Sequence, residues 1–239
     1  MRVILLLSVF CLFLNCEDKK SNKKNKVETS KVIVDSIIDT NKLTDADEAD
    51  SLKRPFPKLN SKNAMNFFLD YDKQHKENKV RITTDFGTID ILLYNETKFH
   101  RSNFIFLTKQ NYFTGTQFYR VINNFMVQAG SSDDKITAKK RNYIGKYLLP
   151  PDTQRGFKHD RGAVSMPSGN INNPYKLASP FEFFIIQQHG GSHFLNGDYT
   201  IFGKVTSGMD VVDKIAAVKT DDADWPLQSI FIRKVEIIN

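Results

Sequence analysis

Thiols are nearly missing from this chain: of 239 residues only Cys11 and Cys16 are cysteine, and both stand ahead of residue 17. The rest of the sequence therefore has no disulfide to form, no thiol nucleophile and no soft metal ligand. Long apolar runs are missing too. The longest, Val3 to Leu14, holds about a dozen residues where a helix crossing a bilayer needs roughly twenty. Nor does one sign of charge dominate. The formal balance is +7, but residues 61–239 carry 23 Lys and Arg against 18 Asp and Glu, and residues 17–60 carry 10 against 9. The dense basic run Lys19, Lys20, Lys23, Lys24 and Lys26 follows directly on the apolar N-terminus and reads as solvated chain, so nucleic acid is not expected as a partner. Among the five histidines the one close pair, His189 and His193, has no third ligand at a sensible spacing, so no metal site is expected. Gly190-Gly191 lacks the strand-turn-helix setting of a phosphate loop. Ser165-Met166-Pro167-Ser168-Gly169 has the outline of a nucleophile elbow, yet no acid-base partner follows it in a convincing order. No cofactor motif is found.

What is present divides the chain in three. Met1 and Arg2 followed by the apolar run read as the core of a signal peptide. It closes on Phe13-Leu14-Asn15-Cys16, which resembles the lipobox of bacterial lipoproteins, whose cysteine is acylated and becomes the first residue after cleavage. Phe13 and Asn15 depart from the aliphatic and small residues of that pattern, and an ordinary cleaved signal or an uncleaved anchor remains open. The resemblance implies residues 1–16 as a leader, Cys16 as the lipidation site, a lipid membrane as one partner, and a location in a bacterial cell envelope on the periplasmic or surface side. Acyl chains contribute about 0.8 kcal/mol per buried methylene, enough for firm anchoring. Residues 17–60, rich in Lys, Asn, Asp, Ser and Thr with one apolar patch at Val32 to Val34 and Ile37-Ile38, read as a flexible polar tether. Residues 61–239 form the expected domain.

Within that domain, Asn60 or Ser61 can cap a helix over residues 61–76 whose Ala64, Phe67, Phe68 and Tyr71 fall at helical spacing. Val80 to Thr84 and Thr88 to Tyr94 flank a short Gly-containing connection and read as a hairpin. Helices are expected at 100–109, with Phe104 and Leu107 inward and Ile105 at the edge, and at 208–217, with Val211, Val212, Ile215 and Ala216 inward. The last strand runs from Ile230 to Ile238. Many short strands with two core helices point to a mainly β fold, a closed antiparallel barrel capped at its ends.

The segment Phe118 to Gly130 is the most informative. Strict alternation would put Phe118, Arg120 and Ile122 on one face and Tyr119 and Val121 on the other. A second strand from Phe125 would send Met126 and Gln128 one way and Phe125 and Val127 the other, unless it is bulged. A cation thus stands near an apolar aromatic cluster. On pattern alone, Arg120 snorkelling to solvent from a barrel strand explains it as well.

At these residues the chain resembles the cyclophilins, through Phe118, Arg120, Phe125, Met126, Gln128 and Gly130. The resemblance continues through Lys158-His159 and Arg161-Gly162 to Met166, through Phe181 to Ile185, and through Phe194 to Val205, so it spans about residues 80–238. It implies an eight-stranded antiparallel barrel with two capping helices, here with an extra N-terminal helix, and peptidyl-prolyl cis-trans isomerase activity on proline-containing segments of exported proteins, by a monomer. It also implies Arg120 as the catalytic arginine, Phe125, Met126, Phe184, Leu195 and Tyr199 as the proline pocket, and Phe194 as a further substrate-binding residue. Gln128 would contact the substrate backbone, and Pro167 and Glu182 would lie along the groove that holds it. Phe194 stands where many members have tryptophan and Tyr199 where they have histidine. Tyr119 replaces histidine, Phe181 serine, Glu182 glutamine and Pro167 alanine. Pro167 and Glu182 leave room for a runner-up of the same fold, a module that grips proline segments without turning them over. A purely structural surface lipoprotein would bind no peptide at all.

The residue types suit such a reaction. Rotating a prolyl amide breaks its partial double bond against about 18 to 20 kcal/mol, and unaided it takes tens of seconds. Turnover near a thousand per second needs a barrier of about 13 kcal/mol, so the protein must supply on the order of 6 kcal/mol. A guanidinium can donate to the amide nitrogen, which becomes basic only as conjugation is lost. An apolar pocket makes that bond stronger by excluding water. The planar arginine fork suits this role better than a lysine ammonium.

Overall fold

The computed structural model describes residues 54–169 and 173–239; the expected leader, Cys16 and most of the tether lie outside the described residues. Eight strands close a barrel: β2 (Lys79–Thr84), β3 (Gly87–Leu93), β4 (Gln117–Ile122), β5 (Met126–Ser131), β7 (Ala163–Ser165), β8 (Phe183–Ile186), β9 (Ile201–Ser207) and β10 (Ile230–Ile237). Their spatial order is β10-β2-β3-β9-β7-β8-β5-β4, with β4 returning to β10. All these pairs are antiparallel, so the ring leaves no strand edge exposed. The expected hairpin is β2–β3, where period-two patterning buries Val80 and Ile82 on one strand and Ile89, Ile91 and Leu93 on the other.

Four helices accompany the barrel among the described residues: α1 (Ala64–Gln74), α2 (Lys98–Lys109), α3 (Lys135–Ile144) and α4 (Met209–Ala216). Both expected core helices are there, α4 burying Val211, Val212, Ile215 and Ala216. In α2 the burial goes further than a single apolar stripe, covering every residue from His100 to Thr108. The reason is α1. Its Phe67, Phe68 and Tyr71 pack edge-on against Phe106 of α2, and its Asp72 accepts from Arg101, which is 2% exposed. One helix thus serves as the roof of another, and polar residues of α2 are sealed beneath it. Asn60 does not cap α1 directly; its Oδ1 accepts from the backbone N–H of Lys62 and Asn63, which turns the chain into the helix.

Two features depart from the sequence reading. Residues 54–60, assigned to the tether, pack on the domain: Phe56 and Leu59 are buried, and β1 (Leu59–Asn60) pairs in parallel with β6 (Gly145–Lys146). The approach is so close that a Cβ at Gly145 would stand 2.0 Å from the Leu59 carbonyl oxygen, and its φ of +129° suits glycine. Helix α3 was not foreseen, because Lys135 to Ile144 has no apolar stripe. It is held by polar bonds instead. Asp134 caps it by accepting from the Thr137 N–H at 2.7 Å, and Lys140 donates to the carbonyls of Asn111, Tyr112 and Thr114.

Candidate active site

A bulge in β4 decides where Arg120 points. Phe118 pairs with Ala129 while Arg120 pairs with Gln128, so Tyr119 is an extra residue in the ladder. The expected alternation therefore fails in one respect. Phe118 and Val121 both enter the core, and Arg120 is parted from Phe118 and projects outward with its side chain 46% exposed. On β5 the pattern holds: Val127 and Ala129 face the core, while Met126 and Gln128 face out. Phe125 was expected to share a face with Val127. It lies ahead of the strand, in the turn, and joins Met126 outside.

The outer face of β5, β7, β8 and β9 carries a second apolar cluster, separate from the core, built on Met126, Ala163, Phe184, Ile186 and Ile201. Phe125, Leu195 and Tyr199 pack on it, and the Tyr199 ring meets Phe184 edge-on at 5.6 Å. These rings and side chains line a groove of about 230 Å³. Its polar wall is Arg120 and Gln128, neighbours across the β4–β5 ladder, and Pro167 and Ser168 border it as well. The fold thus brings together, from four separate stretches of chain, Arg120 and the five expected pocket residues, but not Phe194, the further residue expected at the substrate. Phe194 is 71% exposed outside this lining, with its ring stacked on Phe125 at 5.6 Å.

Several contacts were not legible in advance. Arg120 donates from Nε to Asp224 at 3.2 Å. Asp224 sits at φ +64° in a loop whose backbone accepts from the Val121 N–H at 2.8 Å. Behind the polar wall, Gln128 donates from Nε2 to the Tyr119 hydroxyl, which in turn donates to Glu182 Oε2 at 3.1 Å. Arg141 of α3 holds the other Glu182 oxygen at 3.1 Å and also donates to the Tyr112 hydroxyl. Burial pushes the Tyr119 pKa up and the Glu182 carboxylate adds to the rise, so the phenol keeps its proton. Glu182 was expected along the groove. It does not line it, because Arg141 and Tyr119 engage it to one side. Gly130, at φ +99°, lets β5 pass that side chain's backbone, since a Cβ there would stand 2.3 Å from the Phe181 carbonyl oxygen.

Ser165 does have a histidine partner, one that precedes it in the chain. His159 Nε2 lies 3.0 Å from Ser165 Oγ, and its Nδ1 lies 2.9 Å from Asn196 Oδ1. The serine is fully buried, so no substrate carbonyl can reach it. The trio clamps β7 to the turn that carries Leu195, and burial lowers the His159 pKa, which keeps the ring neutral.

The geometry defines a barrel protein with its site on the outer wall: a slot of about 230 Å³ floored by apolar side chains, with a guanidinium and an amide beside it. Comparison with known proteins gives this class its family. The profile of the family described as "Cyclophilin type peptidyl-prolyl cis-trans isomerase/CLD" matches residues 79–237. A peptidyl-prolyl cis-trans isomerase of Acinetobacter baylyi is 34% identical over 168 residues, which cover 66% of this chain and 84% of that one. Peptidyl-prolyl cis-trans isomerase B of Saccharomyces cerevisiae is 34% identical over 171 residues, covering 69% and 76%. With the peptidyl-prolyl cis-trans isomerase-like 2 of Rhizopus delemar, 34% identical over 169 residues, the chain spans only 30% of the longer protein. Among solved structures, a Cryptosporidium parvum cyclophilin type peptidyl-prolyl cis-trans isomerase superposes with a TM-score of 0.57 at 26% identity, over 68% of this chain and 98% of that one. A second structure of it was determined in the presence of the dipeptide Ala-Pro. The chain belongs to the cyclophilin-type peptidyl-prolyl cis-trans isomerases.

Proposed function

We propose that the groove binds an X-Pro segment with the pyrrolidine ring on Met126 and Phe184, and that Arg120 accelerates rotation of the prolyl amide. The observation that carries this reading is the placement of a guanidinium on the wall of a slot whose floor is an apolar cluster. As the amide twists, its nitrogen loses conjugation and becomes an acceptor, and a donor fixed beside it favours that twisted state over either planar one. The ring's apolar surroundings exclude water and so strengthen the bond. Phe125, Leu195, Tyr199 and Pro167 shape the slot, and Phe194, stacked on Phe125, forms its outer rim. Arg120 exchanges its exposed Asp224 contact for the substrate at little cost, because half-exposed ion pairs contribute at most about 1 kcal/mol.

The clients in this reading are exported proteins, and the enzyme works as a monomer held to a bacterial envelope membrane through a lipidated Cys16. The sequence Phe13-Leu14-Asn15-Cys16 after an apolar run supports that placement. A protease-coupled proline-peptide assay tests the mechanism. Arg120→Ala is expected to lower kcat/KM by about a hundredfold or more, the size found when one preorganised donor is removed, with no change in thermal midpoint. A variant that keeps a near-normal rate refutes the role given to Arg120. Tight binding of prolyl peptides with no acceleration by the unaltered protein would favour a gripping module over an enzyme.

A further inference from the structure

Helix α3 has an outer face that the groove does not use. From Lys135 to Leu148 the chain carries five cations, Lys135, Lys139, Lys140, Arg141 and Lys146, and no acidic residue. Two of the five are taken: Lys140 donates to three backbone carbonyls, and Arg141 reaches Glu182 on the helix's inner side. The other three are exposed, and among the described residues their ammonium groups meet no hydrogen-bond or ion-pair partner. Asp133 and Asp134 stand at the N-terminal end of the helix, where Asp134 is engaged as its cap.

Apolar side chains stand among these lysines. Of the eight large apolar residues exposed among the described residues, three fall in this one stretch: Ile136, at 68% the most exposed of them, Tyr143 and Leu148. Spacing of three and four places Lys135, Ile136, Lys139 and Tyr143 on one side of α3, opposite the buried Thr137 and Ile144. Lys146 and Leu148 alternate with the buried Tyr147 and so project outward together. An apolar protein partner would strip water from the lysines without pairing them, and bulk water leaves the isoleucine and leucine exposed. A bilayer with anionic headgroups suits both kinds of side chain, because it offers phosphates to the ammonium groups and hydrocarbon beneath them. The course of the chain points the same way. Arg54, the first of the described residues, has its guanidinium 4.9 Å from the centre of the Tyr143 ring, and Phe56 meets that ring at 5.6 Å. The segment leading back to the expected leader therefore joins the domain at this face.

We propose that the outer face of α3 docks the domain on an anionic lipid surface, with Lys135, Lys139 and Lys146 at the phosphates and Ile136 and Leu148 in the headgroup layer. This goes beyond the anchor proposed at Cys16 and does not depend on it: the anchor keeps the protein near a membrane, whereas this face sets which side of the domain lies on it. Three lysines and two apolar side chains give weak, reversible docking, so loss of the anchor still releases the protein on dilution.

The test is sedimentation of the full chain carrying Cys16→Ser, which cannot be acylated there, with excess vesicles at low salt. The vesicles are phosphatidylcholine alone or phosphatidylcholine with phosphatidylglycerol. Binding should be stronger to the anionic vesicles and should weaken as salt rises. Adding Lys135→Gln and Lys139→Gln should weaken it about thirtyfold, at about fivefold for each lysine lost from an anionic surface. Adding Ile136→Ser should weaken it about fivefold or more. As a control, Lys204→Gln with Lys219→Gln removes equal charge from exposed positions on β9 and after α4, and should change binding by less than about twofold. Residues 3–14 and the basic run Lys19 to Lys26 are common to all these proteins, so the differences belong to the substituted faces. Hydrogen exchange reads the same face without a substitution: in the Cys16→Ser chain the amides of residues 135–148 should exchange more slowly on anionic vesicles. Undiminished binding by the α3 variants, an equal loss in the control, or unchanged exchange at 135–148 overturns the inference. Protection at 135–148 that appears without vesicles as protein concentration rises would make this face a contact between copies, and overturns it too. In each of these cases the isomerase reading and the Cys16 anchor stand.

Discussion

Arg120 shows how much one residue depends on its neighbour in the ladder. Read by alternation, it would share a face with Phe118 and point where a buried phenylalanine points. The extra residue at Tyr119 rotates the strand, and the guanidinium emerges beside Gln128 instead. The presence of an arginine and an aromatic cluster was legible; the bulge was not, because nothing in Phe118 to Ile122 departs from ordinary strand composition. His100 makes the opposite point. It is fully buried in α2 with neither ring nitrogen hydrogen-bonded, and burial pushes its pKa down to about 4. An unfolded histidine titrates near 6.5, so between these values the unfolded chain binds the proton that the folded one refuses. Stability from this group is thus complete above about pH 6.5 and is lost as pH falls toward 4. Urea unfolding should show about 2 kcal/mol less stability at pH 5 than at pH 7.5, and His100→Leu should flatten that difference. An equal slope in the variant would assign the acid sensitivity elsewhere.

At the scale of elements, α1 and α2 illustrate what periodicity supplies and what it leaves out. The apolar spacing of Phe67, Phe68 and Tyr71 marks a helix with a face to bury, but not the element it covers. That is decided by a pair 29 residues apart, Asp72 and Arg101, sealed between the two helices with Asn95 as a second partner for the guanidinium. Removing one member leaves a charge stranded out of water, and Asp72→Ala is expected to cost about 3 kcal/mol. Chemical denaturation checks it, and a loss below about 1 kcal/mol would mean that Arg101 finds solvent by another route. Helix α3 is the reverse case. Its stability comes from the Asp134 cap and from Lys140 in a ring of carbonyls, interactions that no apolar pattern announces.

For the whole molecule the boundary at residue 54 matters most. Phe56 packs edge-on to Phe106 at 4.9 Å, and Leu59 is 1% exposed in β1. Burying one such side chain contributes about 1.5 to 3 kcal/mol, so losing both Phe56 and Leu59 should leave a fragment of residues 61–239 about 3 to 6 kcal/mol less stable than one of residues 54–239. Equal urea midpoints for the two would show that the segment adds nothing. Anchoring belongs to the same scale: Cys16→Ser should release the protein from membranes into the soluble fraction, and unchanged membrane association would reject lipidation as its basis.

Hydrophobic period along the chain marked the barrel class, both core helices and the hairpin, because period is a property of neighbours along the chain. The residues placed at the groove came from the resemblance to the cyclophilins, carried by short spaced motifs, and not from pattern alone. Tertiary structure alone decided the direction of Arg120, the withdrawal of Glu182 from the groove by Arg141, the partner of Ser165 and the burial of Phe56. Each of these depends on groups far apart in sequence whose separation is fixed only once the ring of strands closes, and on polar atoms that, once out of water, must find one another.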